Sequence, residues 1–253
     1  MLAQERHQQI LNLLEERGTV RTIDLAEEFE VTDETIRRDL QNLADSGRLA
    51  RIHGGASSLS GRPKLQSFTE RRSINVENKR RIARSASKLI QPGLTYAFDS
   101  STTVFELVCA LPDDPFRVVT NAFAVVDQLI GHEQIEVICT GGRYHPKTHT
   151  FVGGDSIDTL RRHNINTAFI SCIGFDATRG ASEGFEQQAT FKERLVRFAD
   201  KVILLVDSTK LSERSEYFFA GIDQISKIIT DNEADPSLVR ELVAAGCSVT
   251  LAE

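Results

Sequence analysis

The chain has 253 residues, 40% of them hydrophobic, and a formal net charge of −6. This length favours one or two domains with a sizeable core, and no apolar run approaches the roughly 20 residues that a membrane-spanning helix needs. The acidic balance excludes a broadly basic surface, so any binding to nucleic acid would depend on a local cluster of cations.

The four cysteines are far apart and none forms a Cys-x-x-Cys pair: Cys109, Cys139, Cys172 and Cys247. A structural zinc site is therefore not expected, and the sequence predicts no metal and no cofactor. Charged residues interrupt the first helix, which argues against a signal peptide. We predict a cytoplasmic protein with reduced thiols and no membrane partner.

Residues 3–16 are predicted to form the first helix, because apolar residues recur on one face. A shorter amphipathic helix follows, and its predicted apolar face consists of Ile23, Leu25, Ala26 and Phe29. Residues 30–31 form the tight turn that leads into a third helix. Two helices joined in this way indicate helix-turn-helix geometry.

The third helix begins at Thr32, whose hydroxyl can cap free backbone N–H groups. Ile36, Leu40 and Leu43 recur at i, i+4 and i+7, so their face is buried. The side chains that could reach base edges or phosphates in a major groove are Thr32, Glu34, Thr35, Arg37, Arg38 and Gln41. The alternative, for this helix taken alone, is an ordinary surface helix with a solvated charged face.

Residues 48–53 alternate as a short strand toward Gly54-Gly55, and this segment is predicted to be a wing. Arg48 and Arg51 are placed to meet phosphate, and His53 completes the predicted DNA-contacting set.

The sequence pattern over residues 32–56 is more specific than the apolar period of the third helix alone. Thr-x-x-Thr-Ile-Arg-Arg-Asp-Leu begins at Thr32, and Leu-x-x-x-Gly-x-Leu-x-Arg-x-His-Gly-Gly-Ala begins at Leu43. Over residues 5–56 the chain closely resembles the winged helix-turn-helix signature of the DeoR-type bacterial transcription regulators. The resemblance implies a double-stranded DNA operator as a partner. Because one acidic subunit offers few phosphate contacts, we expect a homodimer or homotetramer to bind it.

Three segments are predicted along the chain. Residues 1–57 form the winged helix-turn-helix domain, residues 58–75 form a linker and entry segment, and residues 76–253 form the second domain. A helix is expected at 77–90. Strands are then expected at 95–98, 117–120, 135–140, 167–172, 201–206, 227–230 and 248–251. The helices between them are expected at 104–111, 122–130, 156–163, 190–199 and 236–245. This alternation predicts a Rossmann-like α/β domain whose mainly parallel sheet is covered on both faces.

In such folds ligands bind where the chain leaves the carboxyl ends of the strands. The first exit, at 98–103, is a hydroxyl-rich turn into a helix, and its N–H groups favour phosphate, while Asp99 could accept sugar hydroxyls. Simple capping by serine and threonine is the alternative there. The other exits, at 120–122, 140–144, 172–176, 183–186 and 206–210, add acids, amides and cations that suit sugar hydroxyls and phosphate.

These exits resemble the effector domain of the DeoR-type regulators, which is similar in fold to ribose-5-phosphate isomerase. The resemblance implies a phosphorylated sugar as the effector. The effector-binding residues that it implies are Asp99, Ser100, Ser101, Thr102, Thr103, Asn121, Gly141, Gly142, Arg143, Gly174, Asp176, Glu186, Lys192 and Lys210. For Lys210, a solvated surface lysine at the end of a loop is the alternative.

The resulting prediction is a transcription regulator that represses carbohydrate catabolism genes and responds to a sugar phosphate. The alternative is an isomerase-like enzyme that carries a DNA-binding module. The isomerase's acidic run is represented only by residues 171–176, which argues against catalysis, so no catalytic residue is predicted. A metal-responsive regulator would need thiol or imidazole clusters. His145 and His149 are separated by Pro146, so a mobile surface loop is expected there.

Overall fold

A computed structural model of the chain describes residues 3–52, 54–57 and 66–253. It divides into two compact units, Met1–Gln66 and Ser67–Glu253. Residues 58–65 of the predicted linker and His53 of the predicted wing lie outside the described residues. Within the described residues, no helix is long and apolar enough to cross a membrane.

The described residues of the first unit form three helices and a small antiparallel sheet. The helices are α1 (Ala3–Arg17), α2 (Thr22–Glu28) and α3 (Asp33–Asp45). The strands β1 (Thr19–Arg21), β2 (Ala50–Ile52) and β3 (Gly55–Ser57) pair in the order β1-β3-β2. The first two helices and the start of the third lie within a residue or so of the predicted bounds. The strand β1 was not predicted, because three residues are too few to show alternation.

The core of the first unit forms where the apolar stripes of the helices meet, and it includes Ile10, Leu14, Leu25, Ile36, Leu40, Leu43 and Leu49. One predicted core position is wrong. Ile23 is 52% exposed, whereas Thr22 is only 5% exposed. Thr22 stands three and four residues before Leu25 and Ala26, which is the spacing of one helical face. Thr22 N also donates to the carbonyl of Gly54 at 2.9 Å, and this bond fixes the start of α2.

The second unit is built on a seven-stranded sheet in which every neighbouring pair is parallel. Its strand order is β15-β14-β12-β9-β4-β5-β6. Its strands are β4 (Thr95–Phe98), β5 (Phe116–Thr120), β6 (Ile135–Cys139), β9 (Ile165–Ile170), β12 (Ala199–Leu205), β14 (Lys227–Asp231) and β15 (Val249–Ala252). All seven predicted strands are present, with bounds shifted by at most about two residues.

Helices cover both faces of this sheet: α4 (Phe68–Arg72), α5 (Val76–Ser87), α6 (Thr102–Cys109), α7 (Phe123–Leu129), α8 (Gly154–Arg161), α9 (Glu186–Phe198) and α10 (Pro236–Ala244). Two separate apolar clusters lie on the two faces. Burial on both sides explains why the strands appear in the sequence as continuous apolar runs. The predicted α/β fold with a mainly parallel sheet is therefore confirmed.

Smaller antiparallel elements lie outside the main sheet and were not predicted. The strands β7 (Arg143–His145) and β8 (Thr150–Val152) form a hairpin where a loop was expected. A second small sheet joins β10 (Gly174–Asp176), β11 (Gly180–Glu183) and β13 (Tyr217–Ala220) in that order. The helix α4 is also new, and its five residues are too few for an apolar period to be recognised.

Candidate DNA interface and effector site

The polar face of α3 is open to solvent. Thr32 caps the helix: its Oγ1 accepts a hydrogen bond from Thr35 N at 3.3 Å and lies 2.9 Å from Thr35 Oγ1. Arg37 and Arg38 are both exposed, and the guanidinium of Arg37 lies 3.9 Å from the carboxylate of Glu34. An ion pair between exposed groups at this distance is weak. Both arginines therefore remain able to contact DNA.

The rest of the predicted DNA-contacting set is partly engaged inside the protein. Gln41 Nε2 donates to a carboxylate one turn later on α3 at 2.7 Å. Arg51 Nη1 donates to the carbonyl of Gly55 at 2.9 Å and so joins the two strands of the wing. Arg48 is exposed. Arg48 is thus the wing arginine whose position best suits a phosphate contact.

A buried acid on α3, which was not predicted, holds the helix in place. Asp39 Oδ2 lies 2.5 Å from Arg6 Nε, and its Oδ1 lies 2.8 Å from His7 Nε2. Burial alone would raise the pKa of Asp39, but the hydrogen bonds from Arg6 and His7 hold that pKa below its usual value. This cluster connects α1 to α3 and fixes the orientation of the exposed face.

The larger candidate site lies at the carboxyl edge of the seven-stranded sheet, between β4 and β9. The strands that follow β4 lie on one side of it, and those from β9 onward lie on the other. Such a point leaves a crevice in which α/β proteins bind ligands. Asp99 and Ser171 directly follow the two strands, and Ser171 N donates to Asp99 Oδ2 at 2.9 Å. This bond joins the two strand exits.

Lys192 is the centre of a buried ion cluster beside Asp99. Its Nζ lies 2.9 Å from Asp99 Oδ2, donates to the carbonyl of Ser171 at 2.7 Å, and donates to Glu183. Burial would lower the pKa of Lys192, but Asp99 and Glu183 more than offset this and raise it. Since an ammonium has three donors, all of them are occupied. In this geometry Asp99 and Lys192 are held by partners inside the protein, and their contact with an effector stays a prediction.

The hydroxyl-rich turn at the start of α6 is buried and well ordered by hydrogen bonds. Ser101 Oγ accepts from Val104 N at 3.3 Å, and Ser100 Oγ accepts from Gln188 Nε2 at 3.1 Å. Thr103 Oγ1 is buried and has no hydrogen-bond partner among the described residues. The first N–H groups of a helix have no intrahelical acceptor. The turn is therefore both a helix cap and a possible anion site.

A buried arginine that was not predicted belongs to the same site. Arg71 lies on α4, and its Nε and Nη2 atoms are buried with no hydrogen-bond partner in the described part of the chain. Burial lowers the pKa of Arg71, while the nearby carboxylates of Glu183 and Asp99 act in the opposite direction. Thr102 Oγ1 lies 3.5 Å from the carbonyl oxygen of Arg71, which brings α4 to the first turn of α6.

Two lysines extend this positive region. Lys79 Nζ donates to the carbonyls of Arg71 and Ile74, both at 2.5 Å. Burial and the charge of Lys210 lower the pKa of Lys79 to about 8, against the effect of Asp207. Lys210 Nζ lies 3.3 Å from Asp207 Oδ2, and its side chain is 25% exposed. Lys210 therefore keeps donors for a ligand, in contrast to Lys192.

The structure also shows the surroundings of three further predicted residues, Gly174, Asp176 and Glu186. Asp176 Oδ1 accepts from Thr178 N at 2.9 Å, and its Oδ2 accepts from Arg214 Nε at 2.8 Å. Hydrogen bonds from Thr178 and Arg214 hold the pKa of Asp176 well below its ordinary value. Asp176 thus stabilises the β10–β11 turn, and its predicted contact with an effector stays a prediction. Gly174 is required because a Cβ there would lie 2.6 Å from a carbonyl of a neighbouring loop. Glu186 is exposed at the start of α9.

The remaining predicted residues lie near the β7–β8 hairpin. Asn121 Nδ2 donates to a β8 carbonyl at 3.1 Å, while its buried Oδ1 has no partner among the described residues. Gly141 and Gly142 have positive φ angles of 67° and 104°, and a Cβ on Gly142 would lie 2.8 Å from a β8 carbonyl. Arg143 is exposed. Asn121 is therefore the one member of this group with an unused buried acceptor at the sheet edge.

Both units match family models. The DeoR C terminal sensor domain matches residues 74–232, and the DeoR-like helix-turn-helix domain matches residues 6–62. The first match alone spans more than half of the chain. The chain belongs to the DeoR family. The predicted family and the predicted DNA-binding transcription regulator are thus confirmed.

Two relatives match this chain over most of its length and of their own. The uncharacterized HTH-type transcriptional regulator YulB of Bacillus subtilis is 37% identical over 99% of this chain and 97% of that protein. The L-fucose operon activator of Haemophilus influenzae is 33% identical over 92% of this chain and 94% of that protein. Ribose 5-phosphate isomerase A from Methanocaldococcus jannaschii is 17% identical with a TM-score of 0.41, and the match covers 54% of this chain and 55% of that one.

Several residues at this candidate site were not predicted, and three of them lie in or near motifs that the sequence analysis noted. Arg71 lies in the entry motif 68–72, Glu183 lies three residues before the chosen Glu186, and Asp207 lies two residues after the end of β12. A carboxylate placed directly after the predicted strand 201–206 was the available signal for Asp207. Gln188 and Lys79 lie within helices, where the sequence does not show which neighbour they meet.

Proposed function

We propose that this DeoR-family regulator binds a double-stranded operator of carbohydrate catabolism genes through α3 and the wing, and that a phosphorylated sugar at the sensor site controls it. Repression relieved by the effector is the mode that we propose. The named relatives include both an L-fucose operon activator and a putative aga operon transcriptional repressor. These names support a sugar operon as the target, with action in the cytoplasm where the operator is.

The observation that carries the effector assignment is the meeting of one helix start with cations at the sheet edge. The Ser100–Thr103 turn offers N–H groups and hydroxyls, and Lys210 offers an ammonium that is still partly exposed. Helix N-termini and lysine are common phosphate ligands. Asn121 and Glu186 are the polar groups proposed to meet sugar hydroxyls, while Asp99 positions the turn.

The experiment compares effector binding by the wild type and Lys210→Ala. Losing a charge-assisted contact costs roughly 1.5–3 kcal/mol, so we expect one to two decades of weaker binding by calorimetric titration. A thermal-shift screen of sugar phosphates first identifies the ligand, because a ligand that binds only the folded state raises its melting temperature. Lys201→Ala is the matched control, since Lys201 is exposed near the start of β12, away from the carboxyl edge. Equal binding of the dephosphorylated sugar would refute the assignment.

We further propose that the protein is not an enzyme. In the alternative, an isomerase-like site would turn the sugar phosphate over. Among the described residues, the lysine at the centre of the crevice is Lys192. Asp99, Ser171 and Glu183 occupy all three of its hydrogen-bond donors. The same panel of sugar phosphates, incubated with the protein and analysed for isomers, discriminates the two classes. Turnover that Lys192→Met abolishes would favour the enzyme.

A homodimer or homotetramer is the proposed DNA-binding form. The net charge of −6 opposes DNA, and one subunit offers only a few exposed arginines on α3 and the wing. A few phosphate contacts give weak, salt-sensitive binding, whereas paired half-sites add their contributions. Sedimentation at working concentration checks the assembly. A monomer that protects a single half-site with full affinity would refute this proposal.

A further inference from the structure

Arg71 is the most unusual charged residue of the sensor unit. Two of its guanidinium nitrogen atoms, Nε and Nη2, are buried and have no hydrogen-bond partner within the described ranges. An uncompensated buried charge is costly, so such groups are normally paired. The lowered pKa of Arg71 has the same cause, since burial is its largest contribution. Because this arrangement is costly, it indicates that the guanidinium has a function at this position.

The carboxylates near Arg71 are already used by other donors. Asp99 accepts from Ser101 N at 2.9 Å, from Ser171 N at 2.9 Å and from Lys192. Glu183 accepts from Lys192 with one oxygen, while its other oxygen has no partner in the part of the chain that the structure describes. An internal pair between Arg71 and Glu183 is therefore the competing explanation of this residue.

The position of α4 brings Arg71 close to the proposed phosphate turn, since its carbonyl oxygen lies 3.5 Å from Thr102 Oγ1. Phe68 packs edge-on against Phe105 of α6 with the ring centroids 5.4 Å apart, and Arg72 lies 4.6 Å over the same ring. The packing of the two rings holds α4 beside the first turn of α6, where Thr103 Oγ1 is buried and has no partner among the described residues. Arg71, which has unused donors, and the unpartnered hydroxyl of Thr103 thus both lie where α4 meets the first turn of α6.

Both ends of α4 are also tied to the rest of the sensor unit. Phe68 N donates to the carbonyl of Lys147 at 3.1 Å, and the Phe68 ring stacks on His149 with centroids 5.5 Å apart. At the other end, Lys79 holds the carbonyl of Arg71. In the chain, α4 is the first element of this unit after the segment that follows the wing.

We propose that Arg71 binds the effector's phosphate together with the Ser100–Thr103 turn, and that this contact couples the effector to α4. The inference rests on the proposed function and extends it to a residue outside the sheet exits. A guanidinium can give two parallel hydrogen bonds to a phosphate, which an ammonium cannot. The ligand class is a tetrahedral oxyanion with two negative charges, as in a phosphomonoester.

The test uses inorganic phosphate as the probe, at constant ionic strength with chloride as the reference anion. Thermal shift measures its binding to wild type, Arg71→Gln and Arg72→Gln. Arg72 is the matched control because it is the exposed neighbour on the same short helix. We expect phosphate to stabilise the wild type and Arg72→Gln, and Arg71→Gln to bind it about 10- to 100-fold more weakly. If Arg71→Gln does not fold, Arg71→Lys keeps the charge without the two-bond geometry, and we expect it to lose part of the response.

The outcomes separate the two proposals. An undiminished phosphate response in Arg71→Gln would overturn the role of Arg71 and leave the effector site intact; the internal pair with Glu183 would then remain. No response of the wild type to phosphate or to any sugar phosphate would overturn the proposed function itself. Hydrogen exchange provides the second measurement. Phosphate should slow the exchange of the α4 amide protons in the wild type and not in Arg71→Gln. Equal slowing in both would refute the coupling to α4.

Discussion

The DNA-contacting face of α3 and the sensor site both depend on cations, but they hold them in opposite ways. Arg37 and Arg38 are exposed, so water compensates their charges when no DNA is bound. Lys192 is buried, and so are two guanidinium nitrogen atoms of Arg71, so the protein or a ligand must compensate their charges. The first surface can therefore be changed without unfolding the protein, whereas changes in the second affect folding and binding together.

The largest expected effect follows from removing the buried lysine. Lys192→Met leaves Asp99 and Glu183 buried without their shared cation, and breaking such a cluster costs about 3–5 kcal/mol. Urea unfolding followed by circular dichroism measures the loss. Lys201→Met, at an exposed position, should change the free energy of unfolding by no more than about 0.5 kcal/mol. Similar urea midpoints for Lys192→Met and Lys201→Met would show that the buried cluster does not stabilise the folded protein.

A smaller effect, on binding alone, is expected at α3. The double variant Arg37→Ala/Arg38→Ala should cost about 1–3 kcal/mol for each arginine that reads a base, and specificity should relax at that position. Arg48→Ala in the wing should weaken binding to all sequences similarly. Gel shifts with operator and mutated operators measure both effects, with unfolding curves as the control. Unchanged operator affinity in a folded double variant would refute the assignment of α3 as the reading helix.

A still smaller effect is expected where the reading helix begins. Thr32 Oγ1 accepts from Thr35 N, so Thr32→Ala should cost about 1 kcal/mol of helix stability. Thr32→Ser retains the hydroxyl and serves as the control, because serine caps as well as threonine. Thermal unfolding of the two variants is the measurement. An unchanged melting temperature in Thr32→Ala would mean that the cap does not stabilise the fold.

The subtlest effect is a change in protonation at the sensor site. The pKa of Lys79 is about 8, below its usual 10.5, because of burial and of the charges of Lys210 and Arg71, which Asp207 and Glu106 oppose. Between these two values the unfolded chain binds the proton and the folded chain does not, so stability from this group rises with pH. An anion bound nearby should raise the pKa again, and effector binding near pH 8–9 should therefore take up protons.

Calorimetric titration in two buffers with different heats of ionisation measures that uptake. The phosphate group itself is already a dianion at this pH, since its second pKa is about 6. The proton must therefore come to the protein. Lys79→Gln is the variant that should abolish the uptake, and an unchanged uptake in it would place the titrating group elsewhere.

Sequence patterns predicted the elements whose burial is regular. The inner strands of the parallel sheet, such as β4 and β9, are largely buried on both faces, and α3 has a cap followed by a clear apolar period, so both could be located from spacing alone. The location of the candidate site at the carboxyl edge could also be predicted, because parallel strands all end at the same edge of the sheet. The sequence could also suggest that acids and cations meet there, because parallel strands bring their exits to one edge.

The roles of individual side chains depend on details that spacing does not contain. Arg71 and Arg72 are adjacent, yet Arg71 has two buried guanidinium nitrogen atoms, whereas Arg72 is exposed and its guanidinium lies over the ring of Phe105. Asp176 and Glu183 both follow β9, but the unpredicted β10–β11 hairpin carries Asp176 to its turn and brings Glu183 back to Lys192. Because short antiparallel elements decide these positions, the site could be located from the sequence but its contacts could not.

The hydrogen bond between Asp99 and Ser171 joins residues 72 positions apart in the chain, and this separation has a kinetic consequence. The winged unit depends on contacts within its own short segment, whereas the sensor crevice cannot exist until β4 and β9 have paired. Contacts between distant residues form slowly, because a long loop must close first. During synthesis at about 5–20 residues per second, the roughly one hundred residues between Gln66 and Ser171 take on the order of ten seconds to appear. Nascent chains therefore complete the DNA-reading helix well before they can respond to any effector.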